Sequence, residues 1–230
     1  ANNNAVEHAP VLLPLPRHFL QAVMTTVLRY QSLQGASTKG GGNQASLTHN
    51  VFKTLQADFG VMAECFASPL NCYFSKYCSA FPDTDAMFGS MGSFFQFTPT
   101  SGSYQVNPPF DEDVILASAL HIEQLLARSA KSEDPLSFVV IIPENKEENG
   151  WKHLQSSDFC AGLVTVPARQ HAYYEGLQQS RKLHHIFHTA RHATSVFILQ
   201  NAAAEEAWPV TEEKVQRLVA SFQKQFELPQ

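Results

Sequence analysis

Apolar residues recur at helical spacing along much of the chain. From Pro16 to Gln34 the apolar side chains follow one another three or four positions apart, which predicts an amphipathic helix that ends before Gly35. At Asp111 three acidic residues in a row open another helical pattern, and acidic side chains suit the positive end of a helix dipole. The pattern as a whole predicts four helices, over residues 16–34, 48–58, 111–128 and 211–226.

Short runs of apolar and β-branched residues lie between these helices. The clearest is Leu136–Ile142 (LSFVVII), whose continuous apolar run is typical of a strand covered on both faces. Phe94 and Phe95 fall in another such run and are expected in the core. Further strands are predicted over residues 61–65, 86–88, 94–97, 104–106, 162–166 and 194–199. Because strands and helices alternate, the chain predicts an α/β fold with a mostly parallel central sheet.

Composition narrows the class of protein. With 230 residues, 44% of them hydrophobic, the chain is large enough to bury one sizeable core. Its formal net charge of −5 argues against a protein that coats nucleic acid without selectivity, since phosphate binding needs clustered Lys and Arg. Between Arg169 and His192, however, Glu175 is the only acid. The basic residues of that stretch are therefore the expected contacts for an anionic polymer: Arg169, Arg181, Lys182 and Arg191.

Several patterns that suggest cofactor or metal chemistry have simpler explanations. The segment Thr38–Gln44 is rich in glycine but lacks the Gly-Lys-Ser/Thr ending of a phosphate loop, so it predicts a linker. The histidines at 184, 188 and 192 fall four positions apart but have no carboxylate or fourth ligand at a matching spacing, so we expect no metal site. The four cysteines show no C-x-x-C spacing and predict reduced thiols of an intracellular protein: Cys65, Cys72, Cys78 and Cys160.

The ends of the chain suggest a part of a longer protein. The first residue is alanine, and neither a signal sequence nor an apolar run long enough to span a bilayer is visible. We therefore expect an excised fragment of a longer soluble protein that does not enter a membrane.

The stretch Asn107-Pro108-Pro109-Phe110 follows a predicted strand and precedes a predicted helix, which is the edge of a parallel sheet where ligands bind. The two prolines hold the backbone extended, so the Asn107 side-chain oxygen and the Pro108 carbonyl are available as acceptors. Phe110 offers a flat face on which a ring can stack. Two acceptors beside an aromatic ring suit the exocyclic amine of a purine as it attacks a methyl sulfonium. The alternative is a merely rigid turn.

Four segments carry a resemblance to a known family. They are FGVMAECFASPLNCYFSKYCSAFPDTD at 59–85, NPPF at 107–110, PLSFVVIIPE at 135–144 and SVFILQN at 195–201. Together they closely resemble the phosphorylated-CTD-interacting factor family, the cap-specific adenosine N6-methyltransferases also called CAPAM. The resemblance implies a Rossmann-like class I methyltransferase fold, with helices on both faces of the sheet. It also implies methylation of N6 of the first transcribed adenosine beside a 7-methylguanosine cap.

The resemblance assigns roles to individual residues. Its catalytic motif corresponds to Asn107, Pro108, Pro109 and Phe110. S-adenosyl-L-methionine is expected near the turn after the first strand, with Glu64, Phe66, Ala67, Ser68, Pro69, Asn71 and Asp85 as its candidate contacts. Charge and position, rather than the resemblance, predict RNA contacts at Arg169, Tyr173, Arg181, Lys182 and Arg191, and for the basic residues the alternative is a solvated surface. For Asp83 and Asp85 the alternative is that they only order the loop after Pro82, and Trp151 either stacks on a base or closes the edge of the core.

The expected organisation is an N-terminal helical segment, residues 1–58, packed on a methyltransferase domain of residues 59–230. The expected partners are the capped 5′ end of mRNA and, through regions outside this chain, the C-terminal domain of RNA polymerase II, in the nucleus. Two alternatives stay open at this point. One is an N6-adenine methyltransferase that acts on DNA or on internal RNA adenines, and the other is a catalytically inactive scaffold with the same fold.

Overall fold

The computed structural model of the protein describes residues 16–34, 45–174 and 187–223. The helices there are α1 (Arg17–Gln34), α2 (His49–Phe59), α3 (Pro82–Asp85), α4 (Glu112–Ser129), α5 (Asn149–Ser156), α6 (Ala202–Ala207) and α7 (Glu212–Gln223). The strands are β1 (Val61–Ala67), β2 (Tyr77–Ser79), β3 (Gly102–Val106), β4 (Leu136–Pro143), β5 (Cys160–Val166), β6 (Ala172–Tyr174), β7 (Phe187–Thr189) and β8 (Thr194–Gln200). The predicted linker Thr38–Gln44 lies outside the described residues.

A six-stranded sheet in the order β2-β1-β3-β4-β8-β5 forms the centre of the molecule. Strands β1 to β4 pair in parallel, while β8 runs antiparallel to both of its neighbours, β4 and β5. Strands β6 and β7 pair separately as a two-stranded antiparallel sheet. The prediction of an α/β fold with a mostly parallel sheet is therefore confirmed.

Two hydrophobic cores cover the two faces of this sheet, and β4 shows why. Its residues Phe138, Val140 and Ile142 point into one core, together with α4 and α5. The alternate residues Val139 and Ile141 point into the other core, together with α2 and α7. Both faces are covered, so the strand has no polar alternation.

The segments 86–88 and 94–97, predicted as strands, were wrongly assigned. Ala86–Phe88 and Phe94–Gln96 are three-residue 3-10 turns. Gly89 and Gly92, between these turns, have φ angles of 105° and 101°, a region that glycine tolerates and that an extended strand does not use. Phe94 is buried as expected, but Phe95 is 45% exposed, so its placement in the core was wrong.

Trp151 belongs to the core. Its side chain is 2% exposed, its ring packs edge-on against Phe197, and its indole N–H donates to the Ser195 hydroxyl at 2.9 Å. A buried indole whose one donor is satisfied is not available to stack on a base. This rules out the base-stacking alternative for Trp151.

Asn201, just after β8, joins three parts of the fold and is 1% exposed. Its side-chain oxygen accepts from the backbone N–H of Leu136 at 3.0 Å and of Ala204 at 2.9 Å. Its amide nitrogen donates to the backbone carbonyls of Ser129 at 3.2 Å and Asp134 at 3.0 Å. One buried amide thus ties the end of α4, the start of β4 and the first turn of α6 together.

The cysteines and histidines form no metal centre in the part of the chain that the structure describes. All four cysteines are free thiols, and no group of three or more His, Cys, Asp or Glu side chains there has an arrangement that could hold a metal ion. His188 lies in β7 and His192 in a bend before β8, so the two do not share a helix face, and His184 lies outside the described residues. Among the helices of residues 16–34, 45–174 and 187–223, none has the length and apolar character needed to cross a membrane.

Candidate active site

The carboxyl ends of β1, β2 and β3 surround a cavity of about 240 Å³, called here the first cavity. Tyr30 and Leu33 of α1 contribute to its wall, and so do Phe94 and Phe95. Four of the residues predicted to contact the cofactor line it: Phe66, Ala67, Ser68 and Asn71. Asn107 and Pro109 of the NPPF motif line it as well. The structure therefore brings part of the predicted cofactor set and part of the predicted catalytic set to one cavity.

A second cavity, of about 200 Å³, lies on the other side of the motif. Its wall includes Phe110, Pro143, Tyr173, Arg191 and Thr194. Ala45 borders both cavities. The motif thus reaches both cavities, since Asn107 and Pro109 line the first and Phe110 lines the second, as a reaction between two ligands requires.

Asn107 presents one buried oxygen without a partner. Its amide nitrogen donates to the backbone carbonyl of Ala45 at 3.0 Å. This bond leaves Oδ1 as the free acceptor, and Oδ1 is buried and has no hydrogen-bond partner. Because an unpaired buried acceptor costs about 1–3 kcal/mol, a ligand N–H placed there would recover that cost. An acceptor is therefore available on Asn107, and its role towards a ligand stays a prediction.

The rest of the motif is held by the start of α4. Asp111 caps this helix, because its carboxylate accepts from the backbone N–H groups of Asp113 and Val114. Pro108 is buried, whereas Phe110 is 40% exposed. The rings of Phe110 and Tyr173 form a T-shaped pair, with 6.1 Å between the ring centroids and 73° between the ring planes. An exposed aromatic face at the rim of a cavity can stack on a planar ligand.

The turn after β1 contributes to the wall of the first cavity and has no glycine-rich sequence. The side-chain oxygen of Asn71 accepts from both the backbone N–H and the hydroxyl of Ser68, each at 2.8 Å. The hydroxyl of Ser68 in turn accepts from the backbone N–H of Leu70 at 3.2 Å. These side chains fix a tight turn that Gly residues form in other proteins. Pro69 lies within this turn but is not part of the cavity wall.

Glu64 does not reach the first cavity. Its side chain is buried on β1, and its carboxylate accepts from the backbone N–H groups of Tyr73 at 2.7 Å and Phe74 at 3.0 Å. Burial raises the pKa of Glu64 from 4.5 to about 7, although these two bonds oppose the shift. The structure thus places Glu64 as a support for the segment after the turn, not among the contacts expected for a cofactor.

The raised pKa of Glu64 predicts a pH-dependent stability. A carboxyl group whose pKa rises on folding stabilises the native state fully below its ordinary value of 4.5, and this contribution is lost as pH rises through about 7. The free energy of unfolding should therefore fall by about 3 kcal/mol over this window because of Glu64 alone. Glu64→Gln keeps an acceptor for both N–H groups and should remove that fall, which urea unfolding at pH 5 and pH 8 can measure.

The control for the Glu64 experiment is Glu205→Gln, which removes one negative charge at an exposed position of α6. Wild type and this control should lose stability alike between the two pH values. A Glu64→Gln variant that lost as much as they do would show that Glu64 does not titrate as its burial implies.

Asp85 acts on the first cavity only through a neighbour. It is fully buried, and one carboxylate oxygen accepts from the Tyr30 hydroxyl at 2.6 Å. Tyr30 lines the cavity, and burial raises the pKa of its phenol well above the ordinary value. Asp83, in contrast, is exposed and forms an ion pair with Arg29. Both acids therefore fix α1 against the short helix α3. Sequence reasoning missed Tyr30, because an aromatic residue at helical spacing predicts an ordinary core position.

The residues predicted to contact RNA are only partly brought together. Arg191 and Tyr173 line the second cavity, but Tyr173 is 3% exposed. Arg169 is exposed in the turn after β5, with a φ of 62°, and its backbone N–H donates to Ala190 at 2.9 Å. Two further residues predicted for this face, Arg181 and Lys182, lie outside the described residues.

Comparison with known proteins finds one matching family model and two similar proteins, one from mouse and one from human. The family model described as the phosphorylated CTD interacting factor 1 WW domain matches residues 14–176. A protein of Mus musculus named mRNA (2'-O-methyladenosine-N(6)-)-methyltransferase is 44% identical over 209 residues, which cover 90% of this chain and 29% of the mouse protein. A Homo sapiens protein of the same name is 43% identical over 209 residues, with the same two shares. The chain thus spans less than a third of the length of these curated relatives.

Proposed function

The chain belongs to the phosphorylated CTD interacting factor 1 family, and from that premise we propose that it methylates N6 of adenosine in RNA. The methyl donor in this proposal is S-adenosyl-L-methionine, and the substrate is the first transcribed adenosine beside the 7-methylguanosine cap. The names of the mouse and human relatives support both the reaction and the choice of RNA.

One observation carries the proposal: a buried acceptor without a partner, Asn107 Oδ1, belongs to a residue in the wall of the first cavity, and the exposed ring of Phe110, three positions later, lines the second cavity. An exocyclic amine of adenine carries two N–H donors on a flat ring. Asn107 Oδ1 and the Pro108 carbonyl are suited to those donors, and Phe110 is suited to the ring.

The sheet supports the finer assignment to a Rossmann-like class I methyltransferase fold. Its order places β1 and β3 side by side, with β2 on one side of the pair and β4 on the other. The crossovers therefore change direction between β1 and β3, and ligands of open α/β sheets bind outside the strand ends at such a point. The first cavity lies there. The antiparallel β8 between β4 and β5 completes a strand order that agrees with the proposed fold.

The residues of the first cavity fit an adenosyl sulfonium. Phe66 and Phe94 supply aromatic surface for a base, while Ser68 supplies a hydroxyl group. S-adenosylmethionine, when bound, supplies a methyl group on a positively charged sulfur. We propose that Phe66, Ala67, Ser68 and Asn71 hold this cofactor.

The chain's own residues then have the following tasks. Phe110 holds the adenine ring by stacking, and Asn107 Oδ1 with the Pro108 carbonyl accept the two N–H groups of the amine. These bonds draw the lone pair of N6 away from the ring and turn it towards the methyl group. Because this stabilisation grows as N6 gains positive charge, it acts on the transition state more than on the ground state. The extra proton of N6 then leaves to water.

The test is a mass-spectrometric measurement of nucleosides released from RNA after incubation with the protein and S-adenosylmethionine. The substrates are a capped RNA that begins with adenosine, its 2′-O-methylated form, an uncapped copy and a DNA copy. We expect N6-methylated nucleosides only from the two capped RNAs. Equal methylation of the uncapped copy or of DNA would favour the adenine methyltransferase with a different substrate.

A catalytically inactive scaffold is distinguished by the same assay together with calorimetry. Titration of S-adenosylmethionine into the protein should give saturable binding if the first cavity holds the cofactor. An absence of both binding and methylation would favour the scaffold.

We further propose that the protein works in the nucleus, that residues 1–58 pack on a domain of residues 59–230, and that regions outside this chain bind the C-terminal domain of RNA polymerase II.

A further inference from the structure

A chain of hydrogen bonds lies directly beneath the second cavity. The Tyr173 hydroxyl and the Thr194 hydroxyl are 2.7 Å apart, and the Thr194 hydroxyl lies 2.7 Å from Nε2 of His171. The other ring nitrogen of His171, Nδ1, lies 3.0 Å from the backbone carbonyl of Pro167. All three side chains are at most 3% exposed, so no water competes for these bonds.

The donor and the acceptor of each hydrogen bond can be assigned by starting from the Pro167 carbonyl. The Pro167 carbonyl can only accept, so Nδ1 of His171 carries the proton. Burial lowers the pKa of His171, so its ring is neutral and Nε2 is an acceptor. Thr194 must therefore donate to His171, and Tyr173 donates to Thr194. Every hydroxyl has one defined orientation, which fixes the position of the Tyr173 ring.

The fixed ring supports the base-stacking residue. Tyr173 meets Phe110 edge to face at 6.1 Å, and Phe110 has no other ring contact within the described residues. The following residue of the same strand supports the other end of the motif. Tyr174 and Ser46 exchange backbone hydrogen bonds of 2.8 and 3.0 Å, next to the Ala45 carbonyl that holds the Asn107 amide. Strand β6 thus contacts Phe110 directly and is linked to Asn107 through Ser46 and Ala45.

We propose that Tyr173 is a positioning residue for methyl transfer, which holds the Phe110 ring in place through Thr194 and His171. This inference rests on the proposed function, because it takes Phe110 as the residue that stacks the adenine. It also replaces the expectation that Tyr173 contacts RNA directly. The tyrosine hydroxyl is buried and its one proton is used within the protein.

Thr194→Val is the first variant, since valine has nearly the same shape but no hydroxyl. Loss of these hydrogen bonds should lower kcat by about tenfold, because a small misplacement of the stacking ring slows methyl transfer. The affinity for S-adenosylmethionine, measured by calorimetry, should stay at the wild-type value. Thr194→Ser restores the hydroxyl and should restore kcat. Tyr173→Phe, which removes the other hydroxyl, should match Thr194→Val, and it serves as the second variant if Thr194→Val does not fold.

A double-mutant cycle with Phe110→Ala identifies the route of the effect. If Thr194 acts through Phe110, adding Thr194→Val to Phe110→Ala should cause no further loss of kcat. A tenfold loss in both backgrounds would overturn the inference, and so would wild-type kcat in Thr194→Val. Leu218→Ala is the control for lost stability. It changes the core that also contains Tyr173, but it removes none of the hydrogen bonds between Tyr173, Thr194 and His171.

A second readout does not depend on catalysis. Fluorine NMR of 4-fluorophenylalanine placed at position 110 reports the surroundings of that ring. We expect Thr194→Val to shift or broaden the signal and Thr194→Ser to return it to the wild-type position. An unchanged signal in Thr194→Val would overturn the inference. If the wild-type protein methylated no substrate, the proposed function would fail. The fluorine signal would still show whether the hydrogen bonds of Tyr173, Thr194 and His171 position the Phe110 ring.

Discussion

Replacing Asn107 with alanine should slow methyl transfer about a thousandfold, the largest loss expected for any single side chain of the site. Asn107 Oδ1 is the buried acceptor without a partner in the protein, so it is free to receive an N–H of the amine. Alanine removes this acceptor in the transition state, where the charge on N6 is greatest. The expected measurement is a lower single-turnover rate with capped RNA.

Two comparisons give this result its meaning. Calorimetric affinity for S-adenosylmethionine should change little, because the proposed contacts of the cofactor lie on the turn after β1. Asn50→Ala removes an exposed asparagine of α2 and should retain the wild-type rate. If Asn107→Ala also transferred methyl groups near the wild-type rate, the proposed role of the amide would be wrong.

Replacing Asn201 with alanine should destabilise the protein by about 3–4 kcal/mol. The change leaves two backbone N–H groups and two backbone carbonyls without their side-chain partner, all near the buried junction of α4, β4 and α6. Buried groups that lose a partner cost more than exposed ones, since water cannot replace the bond. Urea-induced unfolding followed by circular dichroism measures the loss.

Asn50→Ala serves here as the matched change of asparagine to alanine at an exposed position. It should cost less than about 0.5 kcal/mol, as surface substitutions usually do. A loss in Asn201→Ala no larger than in this control would mean that the junction is held by packing rather than by the Asn201 amide.

Local patterns sufficed to predict the centre of the fold. The run Leu136–Ile142 predicted a strand covered on both faces, and β4 has one core on each side. The helices predicted over residues 16–34 and 111–128 agree within a residue with α1 and α4. These elements are long and strongly patterned, so their own residues determine their structure. Strand β2 and helix α5 are short, carry no clear period, and were not predicted.

The site could be predicted only as far as its residues act locally. The prolines of NPPF restrict their own backbone, so an acceptor role for Asn107 could be predicted from the sequence, but the bond from its amide nitrogen to Ala45, which leaves Oδ1 free, could not. Glu64 gives no local sign of whether it faces a ligand or binds the N–H groups of a later segment. Tyr30 and Ala45 reach the site from before the first strand, which no spacing within the motif reveals. The catalytic role of the NPPF residues stays a prediction until the variants are measured.

The backbone pairing of Ser46 with Tyr174 has a consequence for how the molecule matures. It joins a segment that precedes the sheet to a strand that is synthesised much later, and closing so large a loop is entropically costly. The six-stranded sheet and the core shared with α4 and α5 can form before that closure. Leu47 and Tyr173, which flank the pairing, complete the other core only with it, and the carbonyl of Ala45 is set in place at the same step. During refolding, secondary structure should therefore return before enzymatic competence. A partly folded molecule would have a native-like circular dichroism spectrum, but the side-chain amide of Asn107 would not yet be oriented by the Ala45 carbonyl.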